Sequence, residues 1–154
     1  MVKIGIIGAG TCSKEVYQTA ETLGRLIAER GDTLVCGGLG GVMEAAAKGA
    51  KLKGGTTIGI LPGLRAEDAN PFIDIPIVTG LSHARNVIIV RSSDILIAVA
   101  GKYGTLSEIA IALKLGKPVI GICSWNVSKD MFQTQSPEEA INLVDKLIQR
   151  RSPL

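Results

Sequence analysis

Residues 3–10, Lys3-Ile4-Gly5-Ile6-Ile7-Gly8-Ala9-Gly10, join an apolar run to a turn that is rich in glycine. A short run of apolar, β-branched residues is typical of a strand that is buried on both faces of a parallel sheet. A glycine-rich turn directly after such a strand is typical of a connection to a helix in which the backbone closely approaches a ligand or a neighbouring element. The stretch therefore predicts the first β-α unit of an α/β fold.

The same alternation continues along the chain. Short apolar runs that are typical of strands occupy residues 3–7, 33–36, 57–61, 75–78, 94–99 and 118–122. Amphipathic segments of helical length fill the gaps at residues 14–30, 42–53, 83–91, 106–115 and 137–150. Strands that alternate with helices indicate repeated βαβ units. We therefore predict a Rossmann-like, doubly wound α/β fold, a three-layer sandwich with a mostly parallel sheet.

The length and composition predict one domain over residues 1–154, because a chain of this size has material for a single core. The sequence is 46% hydrophobic but only 3% aromatic, so the core must consist mainly of Val, Ile, Leu and Ala. This composition excludes disordered and fibrous proteins. No apolar run approaches the roughly 18 residues that a membrane span needs, and no signal-peptide pattern precedes the first strand. We expect a cytoplasmic protein without a membrane partner.

The charged, sulfur and imidazole side chains exclude several function classes. A formal net charge of +3, spread along the chain, is too small for a protein that binds the nucleic-acid backbone. Cys12, Cys36 and Cys123 are far apart and form no Cys-x-x-Cys pair, so neither a disulfide framework nor a zinc site is expected. His83 is the only histidine, which excludes paired-histidine metal sites. We therefore expect no nucleic-acid partner and no metal.

Three glycine-rich turns follow predicted strands and point to a ligand site. In an open parallel sheet the carboxyl ends of the strands share one edge, so the turns and the helix N-termini behind them converge. Free N–H groups and the positive ends of helix dipoles there favour an anion, above all phosphate. Tight packing of a helix on a strand also selects glycine, so each turn alone has a structural explanation. The candidate ligand-binding residues are Gly8, Gly10 and Thr11 in the first turn, Gly37, Gly38, Gly40 and Gly41 in the second, and Gly101, Lys102, Gly104 and Thr105 in the third.

These turns do not match the common nucleotide motifs. Ser13 stands where a dinucleotide fingerprint has its third glycine, and the second strand ends in Cys36 without the acidic residue that holds a ribose hydroxyl. NAD is therefore not expected. Tyr103 follows Lys102 where a P-loop has serine or threonine, so a P-loop is excluded as well.

Two charged residues beside the turns each allow two interpretations. Glu108, in Thr105-Leu106-Ser107-Glu108, is placed either to close a capping box at a helix start or to act on a ligand. Arg85 is either a solvated surface residue or a bidentate anchor for phosphate or carboxylate. The loop of residues 62–74, with Pro62-Gly63 and Asn70-Pro71, is long enough to serve as a lid. Cys12 lies in the first turn, and we assign it no role.

The motifs together resemble the LOG-like superfamily, which includes cytokinin riboside 5′-monophosphate phosphoribohydrolases and molybdenum-cofactor carrier proteins. The resemblance rests on residues 37–44, 82–86 and 101–108. It also rests on residues 55–63, Gly-Thr-Thr-Ile-Gly-Ile-Leu-Pro-Gly, which are typical of a short bacterial and archaeal subgroup. It implies that Arg85 and Glu108 match the arginine and the acid of the hydrolases, and that the chain forms a homodimer or higher homo-oligomer.

Two functions follow from this resemblance. The hydrolase signature Pro-Gly-Gly-x-Gly-Thr-x-x-Glu is altered here, because Ala100 replaces proline and Lys102 replaces the second glycine, and Asn86 replaces a lysine beside Arg85. The first hypothesis is a binding protein for a small phosphorylated anion, a nucleotide or the molybdenum cofactor, with no obligatory cofactor. The alternative is a nucleoside 5′-monophosphate phosphoribohydrolase in which Arg85 orients the nucleotide and Glu108 stabilises an oxocarbenium ion or activates water. The additional cation of Lys102 favours binding.

Overall fold

The computed structural model describes residues 1–151, which form seven strands, five α-helices and two short 3₁₀ helices. The 3₁₀ helices span Ala66–Asp68 and Ser82–Arg85. The longer elements, in chain order, are β1 (Lys3–Gly8), α1 (Lys14–Glu29), β2 (Thr33–Cys36), α2 (Val42–Leu52), β3 (Thr56–Leu61), β4 (Ile75–Val78), α3 (Asn86–Ser92), β5 (Ile95–Val99), α4 (Tyr103–Lys114), β6 (Val119–Ile122), β7 (Phe132–Thr134) and α5 (Pro137–Arg151).

The strands form one sheet in the order β4-β3-β2-β1-β5-β6-β7, and each neighbouring pair is parallel. The chain first winds outward from β1 to β4 and then returns to add β5 on the other side of β1. The order therefore reverses between β1 and β5, where Ile6 is paired with Ile97. A doubly wound sheet opens a crevice at this point, at the carboxyl ends of the two strands. The predicted Rossmann-like fold is confirmed.

The helices cover both faces of the sheet. Alternating strand residues such as Ile4 and Ile6 pack with α1, α2 and α5, whereas Ile7 belongs to a second cluster with α3 and α4. The strand residues at the centre of the sheet are fully buried, as two-sided coverage requires. The three layers follow directly from the continuous apolar character of these strands. Within residues 1–151, no helix is both long and apolar enough to cross a bilayer.

Three elements differ from the sequence prediction, and one of them is the helix predicted over residues 83–91, which is a 3₁₀ helix at Ser82–Arg85 followed by α3 at Asn86–Ser92. β7 was not predicted, because Phe132-Gln133-Thr134 is short and partly polar, and its pairing with β6 is what makes it a strand. The helix predicted to begin at Leu106 begins three residues earlier, at Tyr103. Gly101, with a φ of +103°, turns the chain sharply after β5. The helix therefore starts at once, and the Lys102 carbonyl accepts the first helical hydrogen bond from Leu106.

Candidate functional site

A cleft of about 500 Å³ opens at the carboxyl ends of β1 and β5, where the strand order reverses. All three glycine-rich turns contribute to its wall, together with the 3₁₀ helix before α3 and the first two turns of α4. The sequence-predicted residues that line it are Gly8, Gly10, Thr11, Gly40, Arg85, Lys102, Gly104, Thr105 and Glu108. The convergence of separate turns at one crevice is what the parallel order of the strands produces.

Four of the predicted glycines do not line this cleft. Gly38, with a φ of +77°, packs against β3, and a Cβ on Gly41 would lie only 2.3 Å from the carbonyl oxygen of Ala9. A Cβ on Gly37 would lie 2.8 Å from a guanidinium nitrogen of Arg85. Gly101 borders a smaller neighbouring cavity. Close packing accounts for Gly38 and Gly41, and Gly37 makes room for Arg85.

The N-terminus of α4 forms one side of the cleft and has no side-chain cap. The Thr105 hydroxyl is buried, with a residue exposure of 2%, and has no hydrogen-bond partner among residues 1–151. Lys102, the N-cap residue, is exposed beside it, and its ammonium forms no ion pair within the described chain. The uncapped N–H groups, the positive end of the helix dipole and a free cation thus lie at the cleft, whereas the buried Thr105 hydroxyl packs close to Gly101.

Arg85 is buried, so the interpretation as a solvated surface residue is wrong. Its Nε donates to the carbonyl oxygen of Ile60 at 2.9 Å, Nη2 donates to that of Gly37 at 3.5 Å, and Nη1 donates to Oδ1 of Asn86. The Asn86 amide donates in turn to the Ser107 hydroxyl of α4 at 3.1 Å. These bonds hold the guanidinium at the cleft wall. Burial lowers the pKa of Arg85, but guanidinium remains charged in proteins.

Glu108 is buried in the second turn of α4, with its carboxyl group at the cleft. It forms no hydrogen bond or ion pair with the side chains or backbone of residues 1–151. Burial raises the pKa of Glu108 to about 8, although the nearby positive charge of Arg85 acts in the opposite direction. The capping interpretation of Glu108 is wrong, because α4 begins at Tyr103 and the residue lies beyond the first turn.

The cleft wall also contains residues that the sequence interpretation did not select: Ala9, Leu39, Met43, His83 and Asn86. Asn86 had a signal, since it directly follows Arg85 in the motif at residues 82–86. His83 reaches the cleft because the motif is a 3₁₀ helix, which the sequence did not indicate. The carbonyl oxygen of Leu39 accepts a hydrogen bond at 2.9 Å from the side-chain amide of Asn70, which lies in the loop of residues 62–74.

The residues present suit an organic anion better than a bare metal ion. Within residues 1–151, no group of three or more His, Cys, Asp or Glu side chains is placed to hold a metal. Cys36 lies behind the cleft, fully buried, and burial raises the pKa of its thiol to about 12. The site therefore offers backbone N–H groups, hydroxyls and two cations, together with one carboxyl group.

The sheet order and the cleft at its switch point define the protein class as Rossmann-like α/β. The chain belongs to the SLOG cluster4 family, whose family model matches residues 1–150, and thereby to the LOG-like superfamily. A protein of Archaeoglobus fulgidus is 57% identical over 143 residues, which are 92% of this chain and 93% of the relative.

Similarity extends to a phosphoribohydrolase of the superfamily. The cytokinin riboside 5′-monophosphate phosphoribohydrolase of Mycobacterium tuberculosis is 36% identical over 121 residues, which are 72% of this chain and 64% of that enzyme. The chain thus spans less than two thirds of this relative's length.

Two solved structures are also similar. The molybdenum cofactor binding protein of Rippkaea orientalis superposes with a TM-score of 0.91 and 41% identity, over 96% of this chain and 97% of that one. The molybdenum cofactor carrier protein of Chlamydomonas reinhardtii gives 0.89 and 37%, over 97% and 99%. Such relatives support a ligand-binding protein or a hydrolase of the LOG family.

Proposed function

We propose that the chain binds a small phosphorylated anion in the cleft and carries it without breaking a bond. The phosphate lies at the N-terminus of α4, and the remainder of the molecule extends toward Arg85 and Glu108. The observation that carries this proposal is the uncapped N-terminus of α4 at the cleft, with the ammonium of Lys102 beside it. Leaving the nearby buried Thr105 hydroxyl unsatisfied costs roughly 1–3 kcal/mol, and rotation of this side chain toward a bound phosphate would recover that cost.

The charges around Thr105 suit the same ligand. The uncapped N-terminus of α4 presents N–H groups and the positive end of a helix dipole, which together favour phosphate. Lys102 adds a point charge at the mouth of the site, where the phosphoribohydrolase signature has glycine. An additional cation suits a ligand of high negative charge. A nucleotide or a pterin phosphate such as the molybdenum cofactor meets this requirement, and the named functions of the two solved relatives support the latter.

The state of Glu108 supports carriage over hydrolysis. A carboxylate stabilises an oxocarbenium ion through its charge. With a pKa raised to about 8, Glu108 is mainly protonated near neutral pH and lacks that charge. Lys102 and Asn86 also support carriage, because both depart from the hydrolase pattern.

Phosphoribohydrolase activity is the second candidate, favoured by one observation. Arg85 and Glu108, the residues that match the hydrolase arginine and acid, line the same cleft. In this reaction Arg85 would orient a nucleoside 5′-monophosphate, and Glu108 would stabilise the developing positive charge or activate water. The 36% identity to the M. tuberculosis enzyme supports this candidate.

Native mass spectrometry of freshly purified protein tests the proposal directly. We expect an added mass of a nucleotide or a pterin phosphate, and a rise in melting temperature with millimolar AMP at low salt, since a ligand that binds only the folded state stabilises it. The absence of both a bound mass and a shift with any nucleotide or pterin phosphate would contradict the anion site.

A turnover assay separates the two candidates. We expect wild-type protein to release no base from AMP above the rate in buffer, measured by chromatography of the free base. Release that falls on the order of a hundredfold in Glu108→Gln, a typical loss for a charge-stabilising group, would establish the hydrolase instead. Release that is unchanged in Glu108→Gln would indicate a contaminating enzyme.

We also propose that the chain forms a homodimer, as its superfamily resemblance implies. A specific two-fold interface buries roughly 1,600 Å² in total. Light scattering should give the dimer mass at micromolar concentration, and a monomer mass there would contradict the proposal.

A further inference from the structure

Two further cavities adjoin the cleft at the N-terminus of α4. A cavity of about 210 Å³ shares Thr11 and Lys102 with the cleft. A further cavity of about 260 Å³ shares Ala100 and Gly101 with the second one. This row of three adjoining cavities, hereafter the hollow, extends from Arg85 to the far side of Gly101.

Trp125 lines the far end of this hollow and stacks on Tyr103. The two ring centroids lie 6.2 Å apart, with 28° between the planes. The indole Nε1 donates to the carbonyl oxygen of Lys102 at 3.1 Å, which fastens the ring to the N-cap residue of α4. The pair is therefore held in a defined place beside the proposed phosphate.

Trp125 packs in part against a core cluster, but core packing does not account for Tyr103. Tyr103 is 80% exposed, and Trp125, the only tryptophan, is half-buried at the edge of one core cluster. The whole chain is only 3% aromatic, yet it holds two of these side chains together at the edge of its candidate site. Exposed, stacked aromatic rings are the surface on which planar heterocycles bind. No such aromatic platform was evident in the sequence, because Tyr103 and Trp125 lie far apart along the chain.

We propose that the ligand has a second planar ring, joined through its phosphates, and that this ring binds against Trp125. This inference rests on the proposed function, because it requires the phosphate at the N-terminus of α4. The ligand class is then a dinucleotide type of molecule, two ring systems linked by a diphosphate. One ring extends toward Arg85 and Glu108, and the other lies in the cavity lined by Ala100, Gly101 and Trp125.

The position of Lys102 suits the diphosphate of such a ligand. Lys102 borders both the cleft and the second cavity, so its ammonium can pair with the diphosphate that joins the two rings. Stacking of one base on an aromatic side chain increases affinity by roughly ten- to hundredfold, and it depends little on which base is bound. The second ring should therefore give a large, measurable gain.

Binding of three probes, AMP, ADP and diadenosine diphosphate, to the full chain tests the inference by titration calorimetry. AMP and the dinucleotide each carry about two negative charges near neutral pH and ADP carries about three, so a gain of the dinucleotide over both AMP and ADP isolates the second ring. We expect the dinucleotide to bind at least tenfold more tightly than ADP, and to quench the fluorescence of Trp125 where ADP does not. Equal affinity of ADP and the dinucleotide for wild-type protein would overturn the second-ring site.

Variants of the two aromatic residues test whether they provide the additional affinity for the dinucleotide. Trp125→Leu and Tyr103→Leu should reduce dinucleotide affinity to that of ADP while ADP affinity stays unchanged, and Tyr103→Phe should retain the gain. Phe132→Leu is the matched control, because Phe132 lines a cavity with Gly116 and Lys117, at the opposite edge of the sheet. A Tyr103→Leu variant that keeps its melting temperature and the full gain would contradict the inference. Failure of all three probes to bind wild-type protein would instead remove the proposed anion site itself.

Discussion

The starts of α4 and α5 use their first turns in opposite ways. At α5 the Ser136 hydroxyl accepts from the N–H of Glu139 at 3.2 Å, and the Glu139 carboxylate accepts from the N–H of Gln135 at 2.8 Å. At α4 no side chain caps the helix, the Thr105 hydroxyl has no partner in the described chain, and Glu108 is buried without a hydrogen bond. At the start of α5, side chains of the chain itself accept hydrogen bonds from backbone N–H groups. At the start of α4, the N–H groups have no side-chain cap and lie beside the cleft.

A carboxylate placed at the start of α4 should produce the largest effect. Gly104 is exposed, and no atom lies within 4 Å of the position that a Cβ would occupy there, so Gly104→Asp fits without a clash. A negative charge in the first turn also favours the helix. We expect the melting temperature without ligand to stay the same or rise, while calorimetry shows AMP affinity at least about a hundredfold lower, through repulsion of the phosphate at close range.

Glu138→Gln is the control for charge changes in a first turn, since it alters the corresponding region of α5. It should leave AMP affinity unchanged. Equal affinity of Gly104→Asp and wild-type protein for AMP would move the phosphate site away from α4.

The stability of the chain should depend on pH through Glu108 of α4. The pKa of Glu108 is raised from its ordinary value of 4.5 to about 8 in the folded state, so the folded chain binds this proton more tightly than the unfolded chain. The stabilisation is complete below about pH 4.5 and is lost as the pH rises to about 8. Glu108→Gln should remove this loss, so its free energy of unfolding should rise relative to wild type by several kcal/mol between about pH 5 and about pH 9, since one pKa unit corresponds to about 1.4 kcal/mol.

Urea unfolding at both pH values measures this difference. Ser136→Ala at the start of α5 is the control, because it removes no titratable group and should keep the pH dependence of wild type. A parallel pH dependence of wild type and Glu108→Gln would show that Glu108 titrates normally.

Thr105→Val should separate stability from binding at a single buried hydroxyl. Valine has nearly the same shape and removes an unsatisfied polar group, so the free energy of unfolding should stay the same or rise by about 1 kcal/mol. AMP affinity should fall roughly tenfold, the value of one hydrogen bond to a charged group. Thr105→Ser, which keeps the hydroxyl, should retain binding. A loss of stability in Thr105→Val without loss of AMP affinity would identify the hydroxyl as structural.

Ser136→Ala should give the smallest effect and the opposite pattern. Loss of the N-cap hydrogen bond at α5 should lower the free energy of unfolding by about 1 kcal/mol, measured by urea titration. AMP affinity should not change, because Ser136 does not line the cleft. Any effect on affinity would show that the two helix starts are coupled.

Much of the fold follows from local patterns in the sequence. Six strands were predicted within one residue of their observed bounds, because each is a short run of mainly apolar residues, although the edge strand β4 is exposed. Gly31 and Gly116 follow α1 and α4 in the left-handed conformation, which glycine adopts readily at the end of a helix. The start of α4 was misplaced, since the pattern of Thr105 and Glu108 imitates a capping box that the helix does not use.

The candidate site was predictable only in part. The glycine-rich turns marked the correct edge of the sheet, since parallel strands bring their carboxyl ends together. Glycine alone does not distinguish ligand contact from close packing, so Gly38 and Gly41 were selected together with Gly40, although only Gly40 lines the cleft. Arg85 and Glu108 were selected without an indication of their burial.

The sequence by itself determined the α/β class, the parallel strand pattern and the edge at which a ligand can bind, because these depend on local periodicity and on the placement of glycine. Only the tertiary structure decided that Glu108 is a buried, unpaired acid, that Arg85 lies beside it at the cleft wall, and that Trp125 stacks on Tyr103. The pKa of a side chain and the partner of a ring depend on residues far away in the chain. The packing of the helices and strands determines which of these residues lie close together, and no local sequence pattern encodes that packing.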